Sequence, residues 1–296
     1  MKKILICLSF ILALMLLVSC SQKPVNYVIY ADSVYAEELE GAFSNDEEGT
    51  GLEIKDASEK NFTYSSKTKK EEDEKAEKTY KMKFDEKELA LKYSKSYENE
   101  ASDSKKMKAF SKYHVYSDAM SGSYMEFNAT TEEVTLFSGG NVHLSAGSLN
   151  FSKEEAKEKA ADIIEQLYGK DTLDSYQYYD TIITDNQSQT SYTAVYMRDV
   201  WNFKTEDKIS VTFNKDGEFF GINAKNKGTL EKAEKDLSEK EIENAIAKLN
   251  DTFSDEWNIH EPSLIRDVNG DYYIQCFIYR GANGDSEGTY VYINVQ

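Results

Sequence analysis

The chain has 296 residues, of which 53 are acidic and 35 are basic, so its formal net charge at pH 7 is −18. This excess of negative charge repels nucleic acid and anionic lipid headgroups. We therefore expect no nucleic-acid partner, and any membrane contact should come through a covalent lipid and not through a basic face. The length is enough for two or three small domains.

The N-terminus has the pattern of a secretion signal. Lys2 and Lys3 precede an apolar run from residue 4 to residue 18, which is shorter than the roughly 20 residues of a membrane-spanning helix. The run ends in Leu-Val-Ser and then Cys20. This ending resembles the lipobox of bacterial lipoproteins, in which the cysteine becomes the lipidated N-terminus. The alternative is an ordinary cleaved signal in which Cys20 is incidental.

The lipoprotein interpretation predicts residues 1–19 as a signal peptide and places the protein on the outer face of the bacterial cell membrane. Several acyl chains on Cys20 would hold it there firmly, whereas one chain would be marginal. Cleavage leaves 277 residues and, because Lys2 and Lys3 are lost, a net charge of −20. Cys276 is then left without a partner for an intramolecular disulfide. We expect it to be a small buried hydrophobe and not a nucleophile.

Residues 20–75 are predicted to be a lipidated tether, largely disordered. The segment 26–42 has some potential for order, with Asp32 or Ser33 capping a short helix. The runs 45–51 and 67–78 contain too few apolar residues to form a core. A solvated spacer that holds the folded part off the membrane is the preferred interpretation.

Residues 76–148 are predicted to form a mostly β module. Apolar and polar residues alternate on both sides of a turn at 85–87, which is typical of a hairpin. Further strands are predicted at 109–116, 123–128 and 134–138.

Residues 149–229 are predicted to form a helix followed by a sheet. Ser152 and Glu155 make an S-x-x-E capping box, and Gly169 ends the helix. The apolar residues between them recur at helical spacing: Ala156, Ala160, Ile163, Ile164 and Leu167. Strands are predicted at 191–200, 208–213 and 218–224, with a tight turn at 214–217.

Residues 230–296 repeat this pattern at an offset of 86 residues. Ser238 and Glu241 form a second capping box, and Leu237 can pack on Ile242 as a hydrophobic staple. Strands are predicted at 261–267, 271–279 and 289–295, with a hairpin turn at Asn269 and Gly270. The predicted fold class is therefore α+β, with tandem modules of one helix on an antiparallel meander after a mostly β module.

These residues resemble the PepSY-type family of bacterial extracytoplasmic proteins, including YcdB/YcdC-like lipoproteins. The best match combines 151–156 with 214–218; residues 237–242 match the helix alone, and 127–134 carry a degenerate turn with Thr-Glu-Glu in place of Thr-Gly-Glu. The resemblance implies a cystatin-like helix on a curved sheet, and a role in binding or restraining other envelope proteins, including peptidases. The chain is more weakly similar to YycH/YycI-type regulators of a sensor kinase, which have a membrane helix instead of a lipobox.

The sequence contains no recognisable catalytic pattern, so we expect no enzyme, no cofactor and no metal. His114, His143 and His260 are scattered and form no zinc-binding motif. Two S-x-x-K matches lie in lysine-rich polar runs, where such matches arise freely. The segments 214–217 and 267–271 resemble calcium loops only faintly, and hairpin turns are the preferred interpretation.

Aromatic residues are the unusual feature, with 21 tyrosines and two tryptophans. Tyrosine suits protein interfaces and can also stack on sugars. The alternative is that half-exposed sheet faces simply favour tyrosine. The clusters at 176–179 and 196–203 supply the candidate contact residues: Tyr176, Tyr178, Tyr179, Tyr196 and Trp201.

Two functions follow as hypotheses. The first is a lipid-anchored, non-enzymatic protein that binds or regulates another envelope protein, as a protease inhibitor or a sensor modulator does. The second is a module that binds cell-wall glycan or peptide through a tyrosine-rich sheet face. A solute-binding protein is disfavoured, because such proteins alternate strands and helices around parallel sheets.

Replacing Cys20 tests the predicted anchor. Cys20→Ala removes the thiol that would carry the lipid, so we expect the protein to be released from membranes or to remain unprocessed. Fractionation and the mass of the N-terminal peptide measure this. Unchanged retention of the variant in the membrane fraction would contradict lipidation.

Overall fold

A computed structural model describes residues 27–43, 52–60, 66–67, 76–84, 87–99, 112–140, 142–253, 257–267, 269–281 and 287–295. The predicted signal peptide, Cys20 and most of the polar runs lie outside the described residues. None of the helices in the described part of the chain is long and apolar enough to cross a membrane.

The described residues form an α+β fold, which confirms the predicted class. The strands are β1 (Tyr27–Ala31), β2 (Leu52–Asp56), β3 (Ser66–Lys67), β4 (Thr79–Phe84), β5 (Lys87–Asn99), β6 (Lys112–Asp118), β7 (Ser123–Asn128), β8 (Glu133–Ser138), β9 (Gln177–Asp185), β10 (Thr190–Met197), β11 (Lys208–Asn214), β12 (Phe219–Asn223), β13 (Asn258–Arg266), β14 (Tyr272–Arg280) and β15 (Glu287–Asn294). The α-helices are α1 (Ser33–Phe43), α2 (Lys153–Tyr168), α3 (Lys170–Asp174), α4 (Ala233–Asp236) and α5 (Glu239–Phe253).

The larger sheet contains ten strands in the order β3-β5-β6-β7-β8-β12-β11-β10-β9, with β4 paired on β5. Strands β8 and β12 join its two meanders, with Ile222 opposite Phe137. A Cβ on Gly221 would lie 2.4 Å from the carbonyl oxygen of Phe137, so a glycine is needed for this close approach. Residues 76–148 and 149–229 were predicted as separate modules; the structure corrects this, because they share one sheet.

Helix α2 packs across this sheet as its capping box and apolar spacing predict. The Ser152 hydroxyl accepts from the Glu155 N–H at 3.2 Å, and the Glu155 carboxylate accepts from the Ser152 N–H at 2.9 Å. Ala156, Ala160 and Ile164 are fully buried. The core around them includes side chains from both meanders, among them Leu91, Met125, Phe137, Ile209 and Phe213.

The smaller sheet has the order β13-β14-β15-β1-β2. Its last three strands in sequence form the predicted antiparallel meander, and α5 packs on all three. The Glu241 carboxylate accepts from the Ser238 N–H at 2.6 Å, which completes the second capping box together with the bond to the Ser238 hydroxyl. Helix α1 covers the same face, so that α1 and α5 share one core.

The N-terminal segment corrects the prediction of a tether over residues 20–75. Tyr27–Ala31 lies between β15 and β2, antiparallel to the first and parallel to the second. Ile29 and Ala31 are fully buried there, and Leu39 of α1 is also buried. These short apolar runs lie between long polar ones, so the average composition of the segment hides them. The second core is therefore built from both ends of the chain.

Two hairpin turns confirm the repeat and the interpretation of the loops at 214–217 and 267–271 as turns. The Asn214 side-chain oxygen accepts from the N–H groups two and four residues on, at 3.0 and 2.8 Å. The Asp267 carboxylate accepts in the same way from the N–H groups of Asn269 and Asp271, at 2.9 and 2.8 Å. Gly217 and Gly270 have φ values of 79° and 89°, which favour glycine.

The degenerate turn between β7 and β8 has a related geometry. The Asn128 side-chain oxygen accepts from the N–H groups of Thr130 and Thr131, at 2.8 and 3.1 Å. Glu132 occupies the place where glycine was expected, and its φ is 57°. The turn therefore keeps its left-handed residue without keeping its glycine.

The connection between β10 and β11 links the two sheets. Val200 and Phe203 exchange backbone hydrogen bonds around Trp201 and Asn202, whose φ values of 52° and 65° make a two-residue hairpin turn. Val200 is buried in the core of the smaller sheet. Thr205, farther along, forms a parallel bridge with Leu264 of β13.

The packing of α2 is tested by Ile163→Asp. Ile163 is buried against the larger sheet, so the variant would place an unpaired carboxylate in an apolar core. We expect the free energy of unfolding to fall by about 3 kcal/mol or more, as measured by urea denaturation. Gln166→Asp, at an exposed position of the same helix, is the control and should unfold close to the wild type. Equal stability of the two variants would contradict this packing.

Candidate functional site

The exposed edge of the larger sheet is strand β9, which the sequence did not reveal as a strand. In the described part of the chain β9 pairs with β10 alone. Ile182 is 54% exposed and Ile183 is 37% exposed, and successive strand residues point to opposite faces. The edge therefore presents an apolar side chain on each face of the sheet. The strand was missed because most of its residues are exposed, so it lacks the alternation of a half-buried strand.

The first half of β9 is occupied by local contacts. Lys153 at the start of α2 forms an ion pair with Asp180 at 3.0 Å. The Asp180 carboxylate also accepts from the Thr181 N–H at 2.7 Å. The available part of the edge is therefore its second half, from Ile182 onward.

Two of the five predicted contact residues lie in the core, which corrects their assignment. Tyr176 is 4% exposed and Tyr196 is 5% exposed. The Tyr176 hydroxyl donates to the carboxylate of Asp207, and the Tyr196 hydroxyl donates to the carbonyl of Lys157 at 2.9 Å. Their hydroxyl groups satisfy buried acceptors, so these rings contribute to packing and offer no surface to a partner.

The other three candidates lie at or near the surface. Tyr178 is half-buried, 5.6 Å from the Tyr196 ring. Tyr179 is 40% exposed and lies at a register shift of β9, where it contacts Lys204 and Glu261 of neighbouring segments. Trp201 is 38% exposed and donates to the carbonyl of Leu237 at 3.1 Å.

Tyr179, Ile182 and Ile183 are the exposed large hydrophobic residues of β9, and we call this part of the strand the β9 edge. Tyr179 lies at its beginning, and the two isoleucines lie on its available half. Exposed apolar groups beside unpaired strand backbone are typical of a site for another chain. The β9 edge is therefore the candidate functional site.

The reactive side chains lie on separate elements. Cys276 is buried in the core of the smaller sheet, and burial raises the pKa of its thiol to about 12, so it stays protonated. His114 of β6 is buried, and its Nδ1 lies 2.8 Å from the Ser96 hydroxyl. His143 follows β8, and His260 belongs to β13 of the other sheet. Within the described residues no group of three His, Cys, Asp or Glu side chains is placed to hold a metal ion.

Asp207 is the buried carboxylate with the most contacts. It accepts hydrogen bonds from the Tyr176 hydroxyl at 2.5 Å and from the N–H groups of Gly228 and Leu230 at 2.9 and 3.0 Å. The Arg198 Nε lies 3.3 Å away as an ion pair, without the alignment of a hydrogen bond. Burial raises the pKa of Asp207, and these contacts oppose the rise.

A buried carboxylate with a raised pKa can mark an active site. Asp207 is fully buried, however, and both its oxygens are used by groups of the protein. Tyr176 belongs to the core of the larger sheet and Leu230 to that of the smaller sheet. The carboxylate therefore joins the two cores, which is a structural role.

Comparisons with known proteins give one distant likeness. No protein-family model matches the sequence, and no curated protein matches it. Among solved structures, the chain is similar to the Bacillus megaterium YpeB C-terminal domain, with 12% identity and a TM-score of 0.33 over 88% of this chain and 91% of that chain. Both values are low, and the functional conclusions come from the residues of this chain.

The role of Asp207 is tested by Asp207→Ala. The variant removes the carboxylate beside the Arg198 guanidinium and leaves the buried Leu230 N–H without its acceptor. We expect the free energy of unfolding to fall by about 3–5 kcal/mol in urea denaturation. Asp216→Ala is the control, because Asp216 is an exposed carboxylate in a turn, and its unfolding should stay near that of the wild type. A stable Asp207→Ala variant would show that this carboxylate does not hold the cores together.

Proposed function

We propose that this protein is a lipid-anchored, non-enzymatic protein of the cell envelope that binds another envelope protein through the β9 edge. The observation that supports the proposal is the pair of exposed isoleucines, Ile182 and Ile183, on the available half of an edge strand. Such an edge can accept an extended segment of another protein as an additional strand. The backbone bonds then give affinity, and the alternating side chains give specificity.

Charge indicates the chemistry of the partner segment. The chain carries a net charge of −18, and Asp185 ends β9 two residues after Ile183. Opposite charges across an interface favour encounter and fix its register. The proposed partner segment is therefore extended, apolar at its centre and basic at the end that faces Asp185.

Binding would allow this protein to restrain its partner without chemistry of its own. A strand added along β9 would be held in an extended conformation, which could block a peptidase or fix one state of a sensor. Both outcomes belong to the regulatory role that we propose. The lipid on Cys20 would confine the encounter to the outer face of the cell membrane.

Site-specific photocrosslinking tests this proposal. The full chain is expressed in its bacterium with a photoreactive residue in place of Ile183, or in place of Met120, which is 97% exposed in a turn. We expect one stoichiometric protein adduct from position 183 and none of the same mass from position 120.

A charge variant supplies the second half of the test. Ile182→Lys combined with Ile183→Lys places cations on an exposed edge, a device that prevents strand pairing. We expect the partner to be lost on co-purification from membranes while the melting temperature stays near that of the wild type. Retention of the partner by this variant would refute binding at the β9 edge.

The glycan or peptide hypothesis is supported by a different surface. The face of the smaller sheet that points away from α5 carries Phe277, Tyr279 and Tyr290, with ring centroids 6.2 Å apart for the first pair and 5.2 Å between Phe277 and Tyr290. Tyr290 is 53% exposed whereas the other two are half-buried, and an exposed aromatic ring on a sheet can stack on sugars. Retention of the wild type on purified peptidoglycan, lost in Tyr290→Ala, would favour this alternative, whereas one stoichiometric protein partner favours regulation.

A further inference from the structure

A cavity of about 710 Å³ lies at one end of the smaller sheet. Strands β1, β13, β14 and β15 contribute to it, together with Lys60, which follows a 3-10 helix (Ala57–Glu59) after β2, and helix α4 with its N-cap Lys232. Its volume is within the range of sites for small ligands, roughly 300–1,000 Å³. The side chains that matter for its chemistry are three cations and three aromatic rings: Lys60, Lys232, Arg266, Tyr30, Tyr272 and Tyr273.

Aromatic rings hold two of the cations in place. The Lys60 ammonium lies 5.8 and 5.7 Å from the ring centroids of Tyr30 and Tyr273. The Arg266 guanidinium lies 5.2 Å from the Tyr272 ring, and its Nε donates to the carbonyl of Gly270 at 3.1 Å. These contacts limit the side-chain rotation that binding would otherwise have to restrict.

The lining carries more positive than negative charge. Two acids face the three cations: Asp236 accepts from the Tyr272 hydroxyl at 2.7 Å, and Asp271 lies 3.9 Å from Lys60. Lys232 forms no ion pair with any residue in the described part of the chain. The side chains that line the cavity therefore sum to +1 in a protein whose net charge is −18, and the nearby buried Asp267 carboxylate also attracts Lys60.

We propose that this cavity binds a small oxyanion, a phosphate or a carboxylate, carried on a ligand of the size of a sugar. Arg266 supplies a planar set of N–H donors that suits such oxygens, and Lys60 and Lys232 supply point charges. The half-buried Tyr272 ring lies beside the Arg266 guanidinium, where a sugar ring can pack. The site is separate from the β9 edge, so either proposal can fail without the other.

Isothermal titration calorimetry on the full chain in detergent tests the site. The ligands are glucose 6-phosphate, glucuronate, inorganic phosphate and glucose. We expect saturable binding of the sugar phosphate or the glucuronate, and none of glucose, at concentrations up to about 10 mM. Tighter binding of glucose 6-phosphate than of inorganic phosphate assigns a sugar-borne anion, whereas equal binding of the two keeps the oxyanion site and assigns the free ion as its ligand.

Charge variants locate the binding in this cavity. Lys232→Gln and Arg266→Gln each remove one cation, and we expect each to weaken binding by about tenfold. Lys235→Gln is the matched control, because Lys235 lies in the short helix that Lys232 caps but does not line the cavity. Thermal unfolding of Lys232→Gln checks that the fold is intact, since this exposed side chain packs against nothing in the core.

The proposal would be overturned by no saturable binding of any anion, by equal binding of glucose and glucuronate, or by unchanged affinity in Lys232→Gln. A loss of affinity in Lys235→Gln equal to that in Lys232→Gln would also overturn it, because the effect would then reflect general charge and not this cavity. None of these results bears on the photocrosslinks at Ile183.

Discussion

The buried carboxylate of Asp207 is the constraint on which the arrangement of the two sheets depends. It is fully buried between two cores, where an unsatisfied charge would be costly. Tyr176, directly before β9, and Leu230, in the connection to α4, both donate to it. The start of the exposed edge strand and the entry into the smaller sheet are therefore fixed by one group. A partner strand on β9 would meet an edge whose start is held in place, because Tyr176, the residue directly before β9, is hydrogen-bonded to Asp207.

The pairing of β1 with β15 has a second consequence, for the distance to the membrane. With residues 20–75 as a spacer, the folded part could lie far from the bilayer. Tyr27, however, already belongs to a sheet, and only six residues separate it from Cys20. If Cys20 carries lipid, those residues span at most about 25 Å. The smaller sheet and its cavity would then stay close to the membrane surface, and the cavity would exist only when both ends of the chain are paired.

Local signals in the sequence were sufficient for helices and turns. The capping box of Ser152 and Glu155 and the turn at Gly217 are formed by residues close together in the sequence. The helix start and the hairpin turn can therefore be predicted from local sequence. The edge strand β9 and the burial of Tyr176 could not be predicted in this way. Tyr176 is buried because its hydroxyl reaches Asp207, 31 residues away, and no local pattern marks that pairing. The cavity depends on the contact between Lys60 and Tyr273, two residues that are farther apart in sequence than Tyr176 and Asp207.

The same long-range contacts explain why binding, and not catalysis, is the function that we propose. Asp207, Cys276 and His114 are the groups whose chemistry could suit an active site, and each is buried within packing or a hydrogen-bond pair. The surface groups that are available are of another kind: apolar side chains beside an open strand edge, and cations supported by aromatic rings around a cavity. An open strand edge and a charged cavity are features that can hold a ligand, and the proposals of binding rest on them.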